Sequence, residues 1–249
     1  MSRELPPPPA DCKLGCLERQ WNIGERFVKL SSVMDIPPRS EWLARLQKRQ
    51  PMRKHVKLIH YQNGEGSCGS NAAITGGIYV PRSVAGLPFV HLAPSSLYKQ
   101  VNRGQDAGSA VDANLDALEQ TGCVPVSMWG GELGWNKSYP PEFKEEAAKY
   151  QVDESSDAST FEELFWGTMI GFAPPFGVFW KDDRGREGGH AITAIDPIYE
   201  NGKWGLTIVN SWGVNWGDQG FGKLWEPQIS RGVEYFGGFI PRVATFSEG

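Results

Sequence analysis

No run of the sequence approaches the ~20 consecutive apolar residues of a membrane span. The start MSRELPPPPADC has no apolar h-region of a secretory signal. No membrane partner is expected, and the mature chain is expected to begin near Met1 in a reducing, cytoplasmic setting. Cysteine is scarce: four residues, at 12, 16, 68 and 123, are too few and too scattered for a disulfide framework. Free thiols are expected. Cys12 and Cys16 form a CxxxC pair with no second pair or His partner nearby, so a closed zinc site is excluded and no metal or other cofactor is expected. An excess of one charge is also lacking, with 25 basic against 29 acidic residues. The one basic cluster, Arg45 to Lys57, reads as a solvated helix face, so no nucleic-acid partner is expected. No internal repeat occurs.

What the 249 residues do hold is 40% hydrophobic side chains, ten Trp and 30 Gly. That is enough for one large core or two small ones, with close backbone packing and aromatic-lined clefts. Residues 1–40 carry PPPP at 6 to 9 and the Pro37-Pro38 pair, and read as an extended arm. After it, EWLARLQKR places Trp42, Leu43 and Leu46 on one face of a short helix, and another helical signal starts at Cys68. From Ser109, with Asp112 three residues on, Val111, Leu115 and Leu118 recur at helical spacing until Gly122 stops them. PEFKEEAAKY (141–150) and 159–170, opened by Ser159 and Glu162 as a capping box, predict two more helices. Beyond Pro175 the runs FGVFWK, HAITAI, KWGLTIVN, FGKLW and EYFGGFI, separated by turn residues, predict antiparallel strands. The expected organisation is α+β: an arm (1–40), a helical subdomain (41–158), and an antiparallel, barrel-like β subdomain (159–249), with a cleft between the last two.

Three segments carry chemistry. Cys68 opens a helix, where the positive end of the dipole and a nearby imidazolium lower a thiol's pKa, so a thiolate is expected near neutral pH. His190 opens an apolar strand and can pass a proton to a leaving amine. Asn210 returns on the next strand, after the Asn201-Gly202 turn, and can fix the imidazole's tautomer as the third group of a triad. The stretch Val209 to Gly222 reads VNSWGVNWGDQGFG. It resembles the asparagine segment of the papain-like cysteine peptidases, as Gly188-Gly189-His190-Ala191-Ile192 resembles their histidine segment and Gln62 to Cys68 their glutamine-cysteine segment. His190 and Asn210 follow Cys68 by 122 and 142 residues, near the about 130–150 of that family's pattern. Cys-x-x-Asn-Ala at 68–72 resembles the microbial and viral branches more than the lysosomal and plant ones.

The resemblance implies a two-subdomain papain-like fold and a peptidase acting on peptides or proteins through an acyl-enzyme. Cys68 is the implied nucleophile, His190 the base and Asn210 its orienting residue. Gln62 and the Cys68 backbone N–H are the oxyanion donors. Trp212 covers the Asn–His bond and Trp216 walls the leaving-group side. Gly108 is the residue placed to pair with the substrate backbone, and Ser109, Gly189 and Ala191 border a small-walled, uncharged specificity pocket. A different register of Ser67-Cys68-Gly69-Ser70-Asn71 sets Asn71 at the nucleophile position and Glu65 at the oxyanion position, and makes a silent peptide-binding module. A third reading keeps the thiol chemistry in an amidase or acyl transferase. Asp196, the rival to Asn210, lies about 20 Å along one strand from His190 at ~3.3 Å per residue, out of reach. His55, His60 and His91 have no visible partner segment and read as structural, as does Cys123 beneath the cleft. The arm is not the family's long helical propeptide; it either docks at the cleft as a latch or braces the subdomains.

Overall fold

The computed structural model describes residues 5–243; the outer ends of the expected arm and β subdomain, 1–4 and 244–249, lie outside them. Alternating apolar residues build a four-stranded antiparallel sheet. It contains β3 (Pro175–Lys181), β4 (Glu187–Glu200), β5 (Lys203–Val209) and β6 (Phe221–Trp225), in the order β3-β4-β5-β6. Asn201 and Gly202, at φ 52° and 76°, make the tight turn that joins β4 to β5. The register sets Val178 against His190 and Thr193 against Val209. A smaller mixed sheet has the order β1-β2-β7, from β1 (Val28–Lys29), β2 (Glu154–Asp157) and β7 (Phe239–Arg242).

The expected barrel-like closure is absent among the described residues. β3 and β6 remain the outer strands of an open sheet, and one bridge, Phe176 to Gly238, connects β3 to the segment before β7. The run EYFGGFI is only partly strand. Its first three residues end the helix Glu226–Phe236, whose Ile229, Val233 and Phe236 are buried at helical spacing. This helix packs against β3 so closely that a Cβ on Gly232 would stand 2.3 Å from the Gly177 carbonyl oxygen.

The other wall is helical. Cys68–Ile74 is buried at every residue and continues through a π-turn, Thr75–Tyr79, into Val80–Val84. Around it stand Pro94–Val101, Val111–Gln120, Val126–Trp129 and Phe143–Ala147, the last within the predicted 141–150. A Cβ on Gly76 would lie 2.1 Å from the Ala173 carbonyl oxygen, so only glycine lets the long helix approach the chain entering β3. Several local expectations shift. The capping box before Phe161–Met169 is Thr160 with Glu163, one residue later than expected. The helix expected from Ser109 begins at Val111, and Asp112 is buried and accepts from the N–H groups of Gln20 and Trp21 in the arm. In the helix Trp42–Leu46, Trp42 is buried and stacks on Phe165 at 4.3 Å, whereas Leu43 is exposed, because a single turn offers only a narrow buried stripe. Nor is the basic cluster one helix face: Arg49 lies beyond that helix, pairs with Asp196, and donates to the carbonyls of Thr168, Met169 and Ile195.

Candidate active site

β4 carries His190 at a buried position, and Asn210 follows the last residue of β5. His190 Nε2 and Asn210 Oδ1 are 2.7 Å apart. The amide oxygen can only accept, so the ring proton sits on Nε2 and Nδ1 keeps its lone pair. Asn210 is itself held, its Oδ1 accepting from Ser211 N and its N–H donating to Gly220 O. Trp212 stacks on the imidazole at 4.1 Å and 19°, and Trp180 meets the ring edge-on at 5.9 Å. Trp216 lies against Trp212 and Trp180, at 5.5 and 5.6 Å. An apolar cage thus surrounds the Asn–His pair and keeps water from it.

Across from this cage Cys68 is the first residue of its helix and is fully buried. The N–H groups of Ala191, Gly15, Gly69 and Cys68 itself are directed at its sulfur. Asn71 lies one turn further, its amide donating to Ser67 O and Oγ. Gln62 is buried; its Nε2 donates to the carbonyls of Lys13 and Glu65, and its Oε1 accepts from Ser211 Oγ. Asp196 points away, bound by Arg49 and by the N–H groups of Met52 and Arg53.

The arm runs through the site. The Pro6 carbonyl accepts from Trp216 Nε1, and Asp11 from the Tyr61 hydroxyl. Lys13 pairs with Asp106. Gly15 O accepts from Ser109 N at 2.9 Å, Cys16 N donates to Gly189 O at 2.9 Å, and Leu17 N donates to Ser109 O at 3.2 Å. The arm's backbone therefore pairs with Ser109. The Gly108 N–H is taken by the Tyr98 hydroxyl, although a Cβ on Gly108 (φ 98°) would strike the Gly15 carbonyl oxygen at 2.1 Å.

The thiolate expected from the sequence is opposed by burial. Burial pushes the Cys68 thiol up, against the N–H groups that favour the thiolate. It pushes His190 down to about 4, against the Asn210 bond. Nδ1 of His190 makes no hydrogen bond. Both shifts come from burial and both disfavour the charged forms.

Several positioning residues escaped the sequence reading. Glu65 is buried, with one carboxylate oxygen accepting from the N–H groups of Gly134 and Trp135 and the other from the Ser95 hydroxyl. Asp106 accepts from Gly66 N and the Tyr98 hydroxyl, and Asn114 bridges Ser70, Ser109 and Ala110. Asn114, a polar side chain beside Leu115 in a buried stripe, was the one legible signal among them. All four cysteines are free thiols, and Cys123 is buried with its thiol toward the Tyr150 carbonyl. Among the described residues no helix is long and apolar enough to cross a membrane.

No family model matches the chain. A gut-specific cysteine proteinase of Caenorhabditis elegans is 45% identical over 47 residues, 19% of this chain and 14% of that protein. The chain therefore matches only a small part of this curated relative's length. Among solved structures, xylellain, a cysteine protease from Xylella fastidiosa, superposes with a TM-score of 0.70 at 18% identity, covering 92% of this chain and 99% of that one. The bromelain protease from Ananas comosus gives 0.62 at 16% identity, with 78% and 98% covered. The fold is that of papain-like cysteine proteases. The expected placement in the microbial and viral branches is corrected. The sequence match is to a nematode protein, and beside xylellain similar structures come from pineapple, ragweed, mite and mealworm.

Proposed function

We propose that the chain is a cysteine peptidase whose arm keeps it dormant. The observation that carries this reading is the His190–Asn210 bond, which leaves the Nδ1 lone pair free, on a sheet facing a helix that begins at Cys68. The active register is supported by Asn71, whose amide is engaged with Ser67 one turn inside the helix. The cleft lies between a helical subdomain of 41–158 and a strand-rich one of 159–249. With the arm displaced, both groups regain water and the proton passes from Cys68 to His190. The thiolate attacks the peptide carbonyl carbon. Gln62 Nε2, released from the Lys13 carbonyl, and the Cys68 N–H then receive the oxyanion. His190 gives its proton to the leaving amine, and in the second half takes one from the water that cleaves the thioester. Trp212 and Trp216 keep the Asn–His pair dry. Pairing of the Cys16 backbone with Ser109 and Gly189 supports a pocket bordered by Ser109, Gly189 and Ala191 that takes a small apolar substrate residue.

The test is peptidyl epoxide labelling of the full chain at pH 6 to 7, read by intact mass and peptide mapping, beside Gly15→Val. A side chain at 15 would lie 2.8 Å from the Gly66 backbone, so this variant expels the arm. The expected result is a single adduct on Cys68, slow in the parent, at least ~10-fold faster in Gly15→Val, and missing from His190→Ala. Absence of any adduct from both parent and Gly15→Val would overturn the reading in favour of a silent binding module.

A further inference from the structure

The sequence offered no partner for His60 or His91; the fold brings Glu132 to both. The three ligand atoms lie within 4.8 Å of one another. Glu132 Oε1 bonds to His91 Nε2 and stands 3.5 Å from His60 Nδ1. His60 is 2% exposed, and neither of its ring nitrogens makes a hydrogen bond. A buried imidazole facing a carboxylate without a hydrogen bond is a costly arrangement that an ion would relieve. We propose that His60, His91 and Glu132 form a binding site for a divalent transition-metal ion, zinc foremost, with water in the fourth position.

The donor set and spacing fit. Two imidazoles and one carboxylate suit zinc, and ligand bonds of about 2.1 Å place tetrahedral neighbours about 3.4 Å apart, near the His60–Glu132 separation. His91 must swing away from the carboxylate to admit the ion. Its side chain is 38% exposed, so it has room to do so and leaves a path for the ion to enter.

Each ligand hangs from a separately anchored backbone, which keeps the three in place before the ion arrives. The His60 carbonyl accepts from Gly213 N, that of His91 from Val126 N, and that of Glu132 from Ser95 N. His60 also stacks on Tyr79 at 5.4 Å, and Tyr79 Oη accepts from Leu92 N, next to His91. An ion here would clamp the segment that carries Gln62 to the loop whose Gly134 and Trp135 hold Glu65. The proposed ion would join two segments of the helical wall, and the proposal is independent of whether Cys68 is active.

The test uses the full chain with Cys68→Ala, so that the active-site thiol cannot compete, with His91→Gln and Glu132→Gln added singly. The expected result after gel filtration with zinc is one equivalent retained by the parent and lost from both variants. A melting temperature raised by roughly 5 °C in the parent alone should accompany it. Cobalt(II) in the parent should give the visible bands of a tetrahedral ion without thiolate charge transfer, a readout that does not depend on either ligand variant folding. No retained metal, equal retention in the variants, or thiolate bands pointing to the remaining cysteines would each overturn the proposal.

Discussion

The two walls of the cleft are held in opposite ways. Around His190 the sheet wall is apolar: Trp180, Trp212 and Trp216 pack on one another and on the imidazole, and Trp212 Nε1 has no hydrogen-bond partner. Around Cys68 the helical wall is polar: Glu65, Asp106 and Asn114 pin loops and helix starts through hydrogen bonds. A ladder of strands already fixes the backbone beneath His190, so its wall has only to exclude water. The loops before Cys68 have no ladder, and buried side-chain acceptors substitute for one.

The largest effect expected is on the sheet wall's one reactive group. His190→Ala should lower epoxide labelling of Cys68 more than ~1,000-fold, because a thiol without its base is a weak nucleophile. On the polar wall, Glu65→Ala strands two N–H groups and a hydroxyl, and should cost about 3 kcal/mol of stability, read by denaturant unfolding. An unchanged midpoint would break the contrast between the walls.

The arm's hold on both walls can be read against pH. His190 is pushed down to about 4 under the arm, so covered His190 takes up a proton only in acid below that value. If uncovering passes the Cys68 proton to His190, covered and uncovered states hold equal numbers of protons between about pH 5 and 7, and their balance is flat in that window. Labelling of the full chain, normalised to Gly15→Val at each pH, should therefore stay constant from pH 7 to about pH 5. A ratio that climbs across that window would show that uncovering takes up a proton from solution and would break the internal transfer. The smaller change in stability sharpens the contrast: Trp212→Phe keeps an apolar ring, discards an unpaired N–H, and should cost only about 1 kcal/mol.

What was legible follows the same division. Strands β3 to β6 and the Asn201-Gly202 turn could be read from period-two patterns and turn chemistry, and Cys68, His190 and Asn210 from contiguous motifs. The polar wall was not legible, because Glu65 meets Ser95 and Gly134 only through the tertiary fold and no local period marks such pairs. The final helix was missed because its apolar residues run into those of β7, and a short apolar run does not declare its own period. The arm's Pro-rich composition announced an extended chain but not its destination. The role of Asp112 was hidden for the same reason, since its partners, Gln20 and Trp21, lie some ninety positions earlier.

On the proposed reading the arm, covalently part of the chain it fills, competes with substrate as a tethered ligand whose local concentration is on the order of millimolar. It need not bind well to keep the cleft filled, and dilution of the protein does nothing to empty it. A single backbone break between the cleft-filling residues and Val28, where the chain joins the small sheet, would turn the same contacts into those of a free peptide at whatever concentration the solution holds. Occupancy would then change by orders of magnitude without any change in the contacts themselves.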